Sequence, residues 1–485
     1  MSGAIMNTVL MRFELRLLMR DRAFQLLVLL LMSAVALGAV NGMQWLHFQQ
    51  RALAAAHSGE EAKLTSAKAE AAAILSKQKP MPRGWWSNPA DVRGFAYGFV
   101  TTYAIKPPGT IAALTVGQTD LLPYYLKVNA GKRSSALAEY ETENPRRLLM
   151  GRFDLAFVVV FLLPLALLAA GYNALAAERE EGRLALLMTH AVTPRRLAMM
   201  RIALRSVCLM IAALVAALAT LALLGFDFNA RGALESTLAW FAVALAYGAL
   251  WAAMTLLVAA FARNAATAAL TLAGLWLLLV IIAPWMLNLA VNLLHPLPSR
   301  AEYILAQRHA TDAAEAQRSA LLGRYLQDHP EFAPDSTPIE AMHYSAADIA
   351  STENIEAQLV PVQARFDTQL AQQQALIDRW QWLSPAVLAQ QAFNELAGAG
   401  RTRHRAFVVQ ANAHIDALRA YFNPRVLKGQ FEFSSFEDWP RYTWHEPPPT
   451  EAARRLRWAL LGLLLPTLLL IAFAMHALGR RQAIS

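Results

Sequence analysis

The chain is poor in charge and nearly devoid of cysteine. Of its 485 residues only 16% are charged, whereas 56% are apolar, a balance shifted well away from that of a typical soluble domain. The single cysteine, Cys208, excludes an intrachain disulfide, so any part exposed to an oxidising compartment has to fold without one. The two shortages together indicate a membrane protein.

Motifs for catalysis, metal binding and nucleotide binding are missing as well. No H-E-x-x-H occurs, and His404 and His414 lie ten residues apart without a neighbouring acidic ligand, so we predict no metal site. The run Gly131–Ser134 resembles the end of a phosphate-binding loop, but Leu126 stands where its first glycine is required. We therefore expect a chain that is not an enzyme and holds no cofactor of its own.

Long apolar runs are what the sequence has instead. About 20 apolar residues cross the hydrocarbon core of a bilayer as a helix that satisfies its own backbone hydrogen bonds. Six runs meet this length: 23–46, 153–177, 206–226, 236–262, 264–294 and 458–479. The first is longer than the core of a signal peptide, so we interpret it as an anchor, with cleavage as the alternative.

Arginines at the ends of these runs predict the orientation. Four of them precede the first run: Arg12, Arg16, Arg20 and Arg22. By the positive-inside rule, the amphipathic N-terminal helix 1–22, the loop 178–205 and the tail 480–485 lie in the cytoplasm. Three arginines at 454–457 fall on the opposite side, next to a long segment for which the rule is weak. The arginine excess needs no nucleic acid to explain the net charge of +9.

Two large segments, 47–152 and 296–457, then lie outside the cytoplasm. The first carries a net charge of +6 (14 basic minus 8 acidic residues) and the second −3 (16 minus 19). Within the first, 51–79 predicts a helix continuing from the membrane span, and 80–131 predicts short strands and turns.

The second segment predicts a helical hairpin or bundle with two apolar helix faces. One face comprises Val362, Phe366, Leu370, Leu376, Trp380 and Leu383, and the other comprises Phe407, Ala411, Ile415, Leu418 and Phe422. The predicted fold is thus an all-α polytopic membrane protein with six transmembrane helices, plus an extracytoplasmic α+β or helical domain built from two insertions.

A segment rich in both acidic and basic residues, AEREEGRLALLMTHAVTPRR at 177–196, separates the second and third apolar runs. We predict a short amphipathic helix whose first turn holds Glu178, Glu180 and Glu181, where acidic side chains favour the helix dipole. Thr193 and Pro194 then predict an N-cap and the first residue of a second helix. The alternative interpretation is an ordinary cytoplasmic loop that contacts lipid headgroups.

The stretch from Glu178 to Met188 resembles the E-x-E-x-G-x-L-x-x-L-L type signature after the second span of ABC-2 type transporter permeases. The resemblance implies a coupling helix that docks on a separate ATP-binding-cassette ATPase subunit, which holds ATP and Mg²⁺. The residues that it implies for coupling are Glu178, Glu180, Glu181, Gly182, Leu184, Leu187 and Pro194. This chain departs from the family pattern in that Ala191 precedes Val192 and the proline is displaced to Pro194.

The six-span plan and the N-terminal helix extend the resemblance, and the Leu383-Ser384-Pro385 run is similar to a subgroup with large insertions after spans one and five. The fifth run is too long for one untilted crossing, and Pro284 divides it. Residues Trp285–Leu294 are similar to the re-entrant helix that shapes the exit gate in this family, which makes Pro284 and Trp285 candidate gate residues. A tilted or kinked single span is the alternative.

The resemblance implies a permease in a bacterial inner membrane that pairs with a second copy or a related permease and exports an amphipathic small molecule, lipid or peptide. Two alternatives stay open. The chain could transmit ATP-driven motion to an extracytoplasmic partner without transport, or it could be a membrane scaffold without an ATPase.

Overall fold

The computed structural model describes residues 3–99, 102–117, 119, 121–131, 133, 153–182, 193–332 and 344–482. The described chain is mostly helical. Five of its helices are long and apolar enough to cross a membrane: Arg22–Leu75, Pro194–Leu223, Ala233–Phe261, Ala265–Leu294 and Thr450–Arg480. The chain is thus built as a multi-pass membrane protein, and the predicted span 153–177 corresponds to a shorter apolar helix, Leu155–Gly171.

The apolar helices pack into one group, which we call the apolar bundle. It comprises the first half of α2 (Arg22–Leu75), α4 (Leu155–Gly171), α6 (Pro194–Leu223), α7 (Ala233–Phe261), α8 (Ala265–Leu294) and α14 (Thr450–Gln482). Helix α7 is central, and its Trp240, Tyr247 and Trp251 are all almost fully buried. Leucines such as Leu30 and Leu469 face outwards and are exposed, as side chains in contact with lipid would be.

Helix α1 (Gly3–Leu18) precedes α2, and Asp21 separates the two by capping α2 through the backbone N–H groups of Ala23 and Phe24. Helix α2 then runs for 54 residues without a break, which makes it about 81 Å long. Its apolar first half lies in the bundle, and its Ala/Glu/Lys-rich second half continues beyond it, as the sequence predicts.

Two helices of the bundle contain a π-helical turn followed by a proline. In α4 the turn is Val158–Leu162 and precedes Pro164, and in α8 it is Leu277–Ile282 and precedes Pro284. Helix α8 stays continuous through Pro284 to Leu294, because the widened turn accommodates the proline ring. The predicted division at Pro284 is therefore a local change of hydrogen bonding within one helix, and Trp285–Leu294 is not a separate segment.

The remaining elements form a second group, which we call the polar body. Its two strands, β1 (Thr102–Ile105) and β2 (Tyr125–Val128), pair antiparallel with Thr102 opposite Val128. Its helices are α3 (Val92–Gly94), α9 (Arg300–Ala316), α10 (Arg318–Asp328), α11 (Tyr344–Trp380) and α13 (Arg401–Leu427). The short α5 (Ala176–Glu180) and α12 (Pro385–Leu396) belong to the bundle, as described below.

Both large segments of the sequence contribute to the polar body. Phe95 of the first packs on Phe433 of the second with ring centroids 4.5 Å apart, and an ion pair joins Arg133 to Glu356 at 2.8 Å. The short strands predicted for 80–131 are confirmed.

One of the two predicted apolar helix faces is confirmed and the other is wrong in part. Phe407, Ala411, Ile415, Leu418 and Phe422 are buried on α13. Along the second half of α11, however, the structure leaves Phe366 42% exposed and Trp380 45% exposed, and Leu383 just beyond it is 59% exposed. That half of α11 makes its buried contact through a polar residue, since Gln373 donates to the carbonyl of His295.

Candidate functional site

Helix α5 carries the first residues of the predicted coupling segment and is tied to the bundle by ion pairs. Arg201 of α6 donates to Glu178 at 3.0 Å and to Glu14 of α1 at 2.9 Å. The side chains of all three are at most 14% exposed. Because a buried carboxylate needs hydrogen bonds or a charged partner to offset its desolvation, the bonds to Arg201 hold α1, α5 and α6 together.

The next two residues reach two further helices. Arg179 donates to the carbonyls of Ala259 and Ala262 at the C-terminal end of α7, at 3.0 and 2.5 Å. Glu180 accepts from the backbone N–H of Ala265 at the start of α8, at 3.1 Å. Each charge has the sign that its helix end favours, positive at a C-terminus and negative at an N-terminus. Three consecutive side chains thus connect α5 to α6, α7 and α8.

A further arginine at this end of the bundle is a helix cap. Arg205 of α6 donates to the carbonyl of Ala170 at 2.5 Å and to the side chain of Asn173 at 2.9 Å, where α4 ends. Part of the arginine excess on the predicted cytoplasmic side therefore has a structural role. We call this face of the bundle, with α5 and the arginines around it, the arginine-rich end.

The other residues predicted for coupling are placed as follows. Glu181 and Gly182 are exposed, and Gly182 has φ +68 with open space around it. Pro194 is the first residue of α6, and Thr193 caps that helix by accepting from the N–H of Arg196, which confirms the predicted helix start. Leu184 and Leu187 lie outside the described residues. Glu178 and Glu180 bond within the chain, so the face that they present to a partner is smaller than the sequence suggested.

A second candidate site lies where the polar body meets the bundle. Helix α12 (Pro385–Leu396), which we call the wedge helix, is inserted among α7, α14 and the π turns of α4 and α8. Its Phe393 is fully buried and stacks on Trp240 of α7 with ring centroids 4.4 Å apart. Arg455 of α14 pairs with Glu395 at 2.7 Å. Twelve residues are too few to cross a bilayer, and such a length is typical of a re-entrant or interfacial segment.

The N-cap of the wedge helix explains the role of Pro284. In the π turn of α8, the N–H of Ala283 bonds to the carbonyl of Leu278, five residues back. The next N–H in that register would be that of residue 284, but proline has none, so the carbonyl of Leu279 loses its helical partner. Ser384 donates its hydroxyl to this carbonyl at 2.7 Å, and Ser384 is only 1% exposed.

A similar arrangement is present at the other π turn. There the N–H of Leu163 bonds to the carbonyl of Val158, Pro164 has no N–H to continue this register, and the buried hydroxyl of Tyr247 donates to the nearby carbonyl of Val160 at 2.9 Å. Trp276 of α8 donates to the adjacent carbonyl of Phe161 at 3.3 Å. Side chains of neighbouring helices thus satisfy the backbone groups around each proline, as a low-dielectric interior requires.

A loop of the first segment, 109–117, also enters the bundle at this point. Its Thr115 accepts from the indole N–H of Trp240 at 2.8 Å, and the N–H of Val116 donates to Asp154 at 2.8 Å. The loop passes so close to α2 that a β-carbon on Gly42 would lie 1.9 Å from the carbonyl oxygen of Ala113. Glycine at position 42 is what permits this approach. We call the wedge helix and this loop together the wedge end.

Sequence reasoning did not find the wedge helix. The signal was present, because a serine followed by proline marks a helix start and the following residues are moderately apolar over a short stretch. Ser384-Pro385 is compatible equally with a turn on the surface. Only the contact with Leu279, 105 residues earlier in the chain, places this helix inside the bundle.

The arginine-rich end and the wedge end lie at opposite ends of the same two helices. Helix α14 contacts the wedge end at Gly462 and packs near α5 at Leu478, which is roughly 24 Å further along its axis. Helix α7 contacts the two sites at Trp240 and Ala259, roughly 28 Å apart. Helices α7 and α14 pack extensively on each other, so a rigid pair links the two ends.

The described residues contain no group of three or more His, Cys, Asp or Glu side chains that could hold a metal ion. His404 and His414 are part of the polar body, and burial lowers the pKa of each to about 4.

A comparison with known protein families finds a match for part of the polar body together with the wedge helix. Residues 300–445 match a family described as Domain of unknown function (DUF3526). The match covers less than a third of the chain and includes α9 to α13. No curated protein matches the chain. The region that contains the wedge helix is therefore similar to a recognised domain whose role is open.

Proposed function

We propose that the chain is the membrane-spanning permease subunit of an ABC-2 type transporter. In this proposal α4 is the sixth span, both termini and the arginine-rich end face the cytoplasm of a bacterial inner membrane, and the polar body is periplasmic. A separate ATP-binding-cassette subunit binds ATP and Mg²⁺ and hydrolyses ATP. A second copy of the chain, or a related permease, completes the pathway.

The observation that carries the proposal is the linkage at α5. A coupling element has to pass a displacement to the membrane helices, and Glu178, Arg179 and Glu180 bond to three different ones. A lipid-contacting loop, the plain alternative, has no need of such bonds. Glu181 and Gly182 are exposed, and we assign contact with the ATPase to these two residues and to the undescribed ones that follow.

The wedge helix supports a gate at the opposite end. It lies between the α7–α14 pair and the two π turns, so a displacement of that pair relative to α4 and α8 would alter the space that it occupies. The prolines at 164 and 284 lower the cost of bending α4 and α8 at this level. We therefore assign the exit gate to the wedge helix, with Pro284 acting through Leu279 and Ser384.

The lining of the bundle supports an amphipathic cargo. A small pocket between α2, α4, α6 and α7 is lined mainly by valine, leucine and alanine with Trp240. Proton-coupled or sodium-coupled carriers usually keep charged groups at membrane depth, and the predicted spans have none at their centres. Energy would then enter from ATP, through the arginine-rich end.

The test is co-expression and reconstitution with a candidate ATP-binding-cassette subunit, such as one encoded by a neighbouring gene. We expect the two proteins to co-purify, and Glu181→Lys to lower the ATPase rate of the complex because it reverses the charge of the exposed contact. Glu61→Lys, on an exposed carboxylate in the second half of α2, is the matched control and should leave the rate unchanged. Failure to co-purify with any ATPase would leave the scaffold interpretation.

A mechanical transmitter is the second candidate, and helix α2 favours it. The helix belongs to the bundle at one end and to the polar body at the other without a break, so motion of the bundle reaches the polar body directly. Flux of amphipathic substrates into proteoliposomes separates the two. Measurable ATP-dependent flux supports a permease, whereas an ATPase rate that responds to the polar body's partner without flux supports a transmitter.

A further inference from the structure

A pocket of about 340 Å³ lies beside the wedge helix where the polar body meets the bundle. Its lining includes Asp378, Gln381 and Trp382 on one side and Arg454, Arg455 and Trp458 at the start of α14 on the other. The volume is within the usual range for small-molecule sites. These arginines are the ones that oppose the positive-inside rule, so their position calls for a separate explanation.

Two tryptophans place the pocket at the level of a membrane surface. The rings of Trp382 and Trp458 meet edge to face with centroids 6.1 Å apart, and each is about half exposed. Trp382 also packs against α14, since a β-carbon on Gly462 would lie 2.7 Å from its ring. Tryptophan is typical of the boundary between lipid and water, where its ring is in the apolar layer and its N–H in the polar layer.

The charges in the pocket are arranged in two parts. Arg455 pairs with Glu395, whereas Arg454 is exposed and has no ion-pair partner among the residues that the structure describes. Asp378 accepts one hydrogen bond, from Gln374 at 2.7 Å, which leaves acceptor capacity on its carboxylate. Guanidinium groups bind phosphate oxygens in a well-defined geometry, and a carboxylate in the lining of the same pocket suits an ammonium group.

An apolar track leads away from the pocket along α14. Leu461, Leu465 and Leu468 follow Trp458 at helical spacing, so the four side chains lie on one face. All three leucines are more than half exposed. The track therefore runs from the charged pocket toward the middle of the bundle, which is the course of an acyl chain whose headgroup is at the surface.

We propose that this pocket binds a phospholipid with a primary amine in its headgroup. The phosphate lies against Arg454 and Arg455, the ammonium group on Asp378, and one acyl chain along the leucine track of α14. The lipid would contact both the wedge helix side of the pocket and the last span. The inference requires only that the chain is in a membrane, so it holds for a permease, a transmitter or a scaffold alike.

The experiment is native mass spectrometry of the full-length protein released from nanodiscs that contain equal amounts of phosphatidylethanolamine and phosphatidylcholine. We expect the wild type to retain phosphatidylethanolamine in excess. Arg454→Gln should weaken lipid retention by about tenfold, the effect of one charge-assisted contact. Arg457→Gln, one turn along the same helix, is the matched control and should retain lipid as the wild type does.

A second variant separates the two parts of the headgroup. Asp378→Asn should keep the bound lipid but remove the preference for phosphatidylethanolamine over phosphatidylcholine. Equal lipid retention by the Arg454 and Arg457 variants would overturn the proposal. Release of the lipid by millimolar inorganic phosphate would also overturn it, because the pocket would then be a site for free phosphate rather than for a lipid.

Discussion

The two ends of the apolar bundle are held together by different kinds of interaction. At the arginine-rich end, charged side chains make the contacts between the helices. Arg201 bonds to two carboxylates, and Arg179, Glu180 and Arg205 bond to the ends of neighbouring helices. At the wedge end most contacts are uncharged, namely hydroxyl and indole hydrogen bonds, ring stacking and close backbone approach at Gly42. The two carboxylates there, Asp154 and Glu395, are held by backbone N–H groups and by Arg455 respectively.

The difference follows from where each site lies relative to the apolar layer. At the arginine-rich end Arg201 compensates two buried carboxylates, and the other charges lie on helix ends whose partial charge they offset. An element inserted among apolar helices relies mainly on neutral hydrogen bonds, because each buried charge needs partners of its own to offset its desolvation. In the proposed function, the segment assigned to contact with the ATPase and the segment assigned to the exit gate thus have different chemistry in one chain.

The largest effect is expected from breaking the ion pairs of the arginine-rich end. Arg201→Gln removes the cation shared by Glu14 and Glu178, which should lower the free energy of unfolding by about 3–5 kcal/mol. Thermal unfolding of the purified protein in detergent measures it. Arg480→Gln, an exposed arginine at the same end, is the control, and an equal shift in both variants would contradict the role of Arg201.

A single methyl group should disturb the wedge end. Gly42→Ala places a β-carbon against the carbonyl of Ala113 and should cost about 1–3 kcal/mol, because a well-packed backbone contact has to shift. Gly59→Ala on the same helix has open space and should instead stabilise the protein by about 0.5–1 kcal/mol through helix propensity. Thermal unfolding measures the two shifts in unfolding temperature, which should have opposite signs. Shifts of the same sign in the two variants would refute the close approach of the 109–117 loop to α2.

Removing one hydroxyl should loosen the wedge helix. Ser384→Ala loses both the N-cap and the bond to Leu279, at a combined cost of about 2 kcal/mol. Ser299→Ala removes only an N-cap, that of α9, and should cost about 1 kcal/mol. The difference between the two variants in unfolding measurements is the contribution of the Leu279 contact, and no difference would mean that this contact adds nothing.

The part played by Pro284 should appear as coupling between two substitutions. Pro284→Ala supplies a backbone N–H for α8, so the carbonyl of Leu279 has less need of Ser384. Ser384→Ala should then cost about 0.5–1 kcal/mol less in the Pro284→Ala background than alone. A double-mutant cycle on unfolding free energies tests this. Strictly additive effects would mean that Pro284 and Ser384 do not act through the same carbonyl.

The smallest effect concerns pH and the polar body. Burial, reinforced by the nearby Lys106 ammonium, lowers the pKa of His404 to about 4. The unfolded chain takes up a proton near its ordinary pKa of about 6.5, whereas the folded protein does so only near pH 4, so stability is lost as the pH falls through this window.

His404→Gln should therefore lower the drop in unfolding temperature between pH 7 and pH 4.5. His445→Gln, on an exposed ring of the same body, should leave the drop as it is in the wild type. A His404 variant with an unchanged drop would contradict the assignment.

Local patterns in the sequence predicted the elements better than their contacts. The start of α6 at Thr193 and Pro194 and the buried face of α13 follow from capping and from helical spacing, which are local. The inward position of Glu178 does not, because an acidic first turn suits a partner surface and an ion pair equally well, and Arg201 lies 23 residues away. The depth of Ser384 depends on Leu279 in the same way.

Because helix α2 is long, a small rotation in the apolar bundle becomes a larger displacement in the polar body. From Gly42, where the 109–117 loop contacts it, the helix extends roughly 50 Å to Leu75. A rotation of about 5° at that contact would carry the far end by about 4 Å, roughly the rise of three residues of helix. A displacement too small to open a bundle of packed helices is thereby large enough to change which residues of the polar body meet a partner.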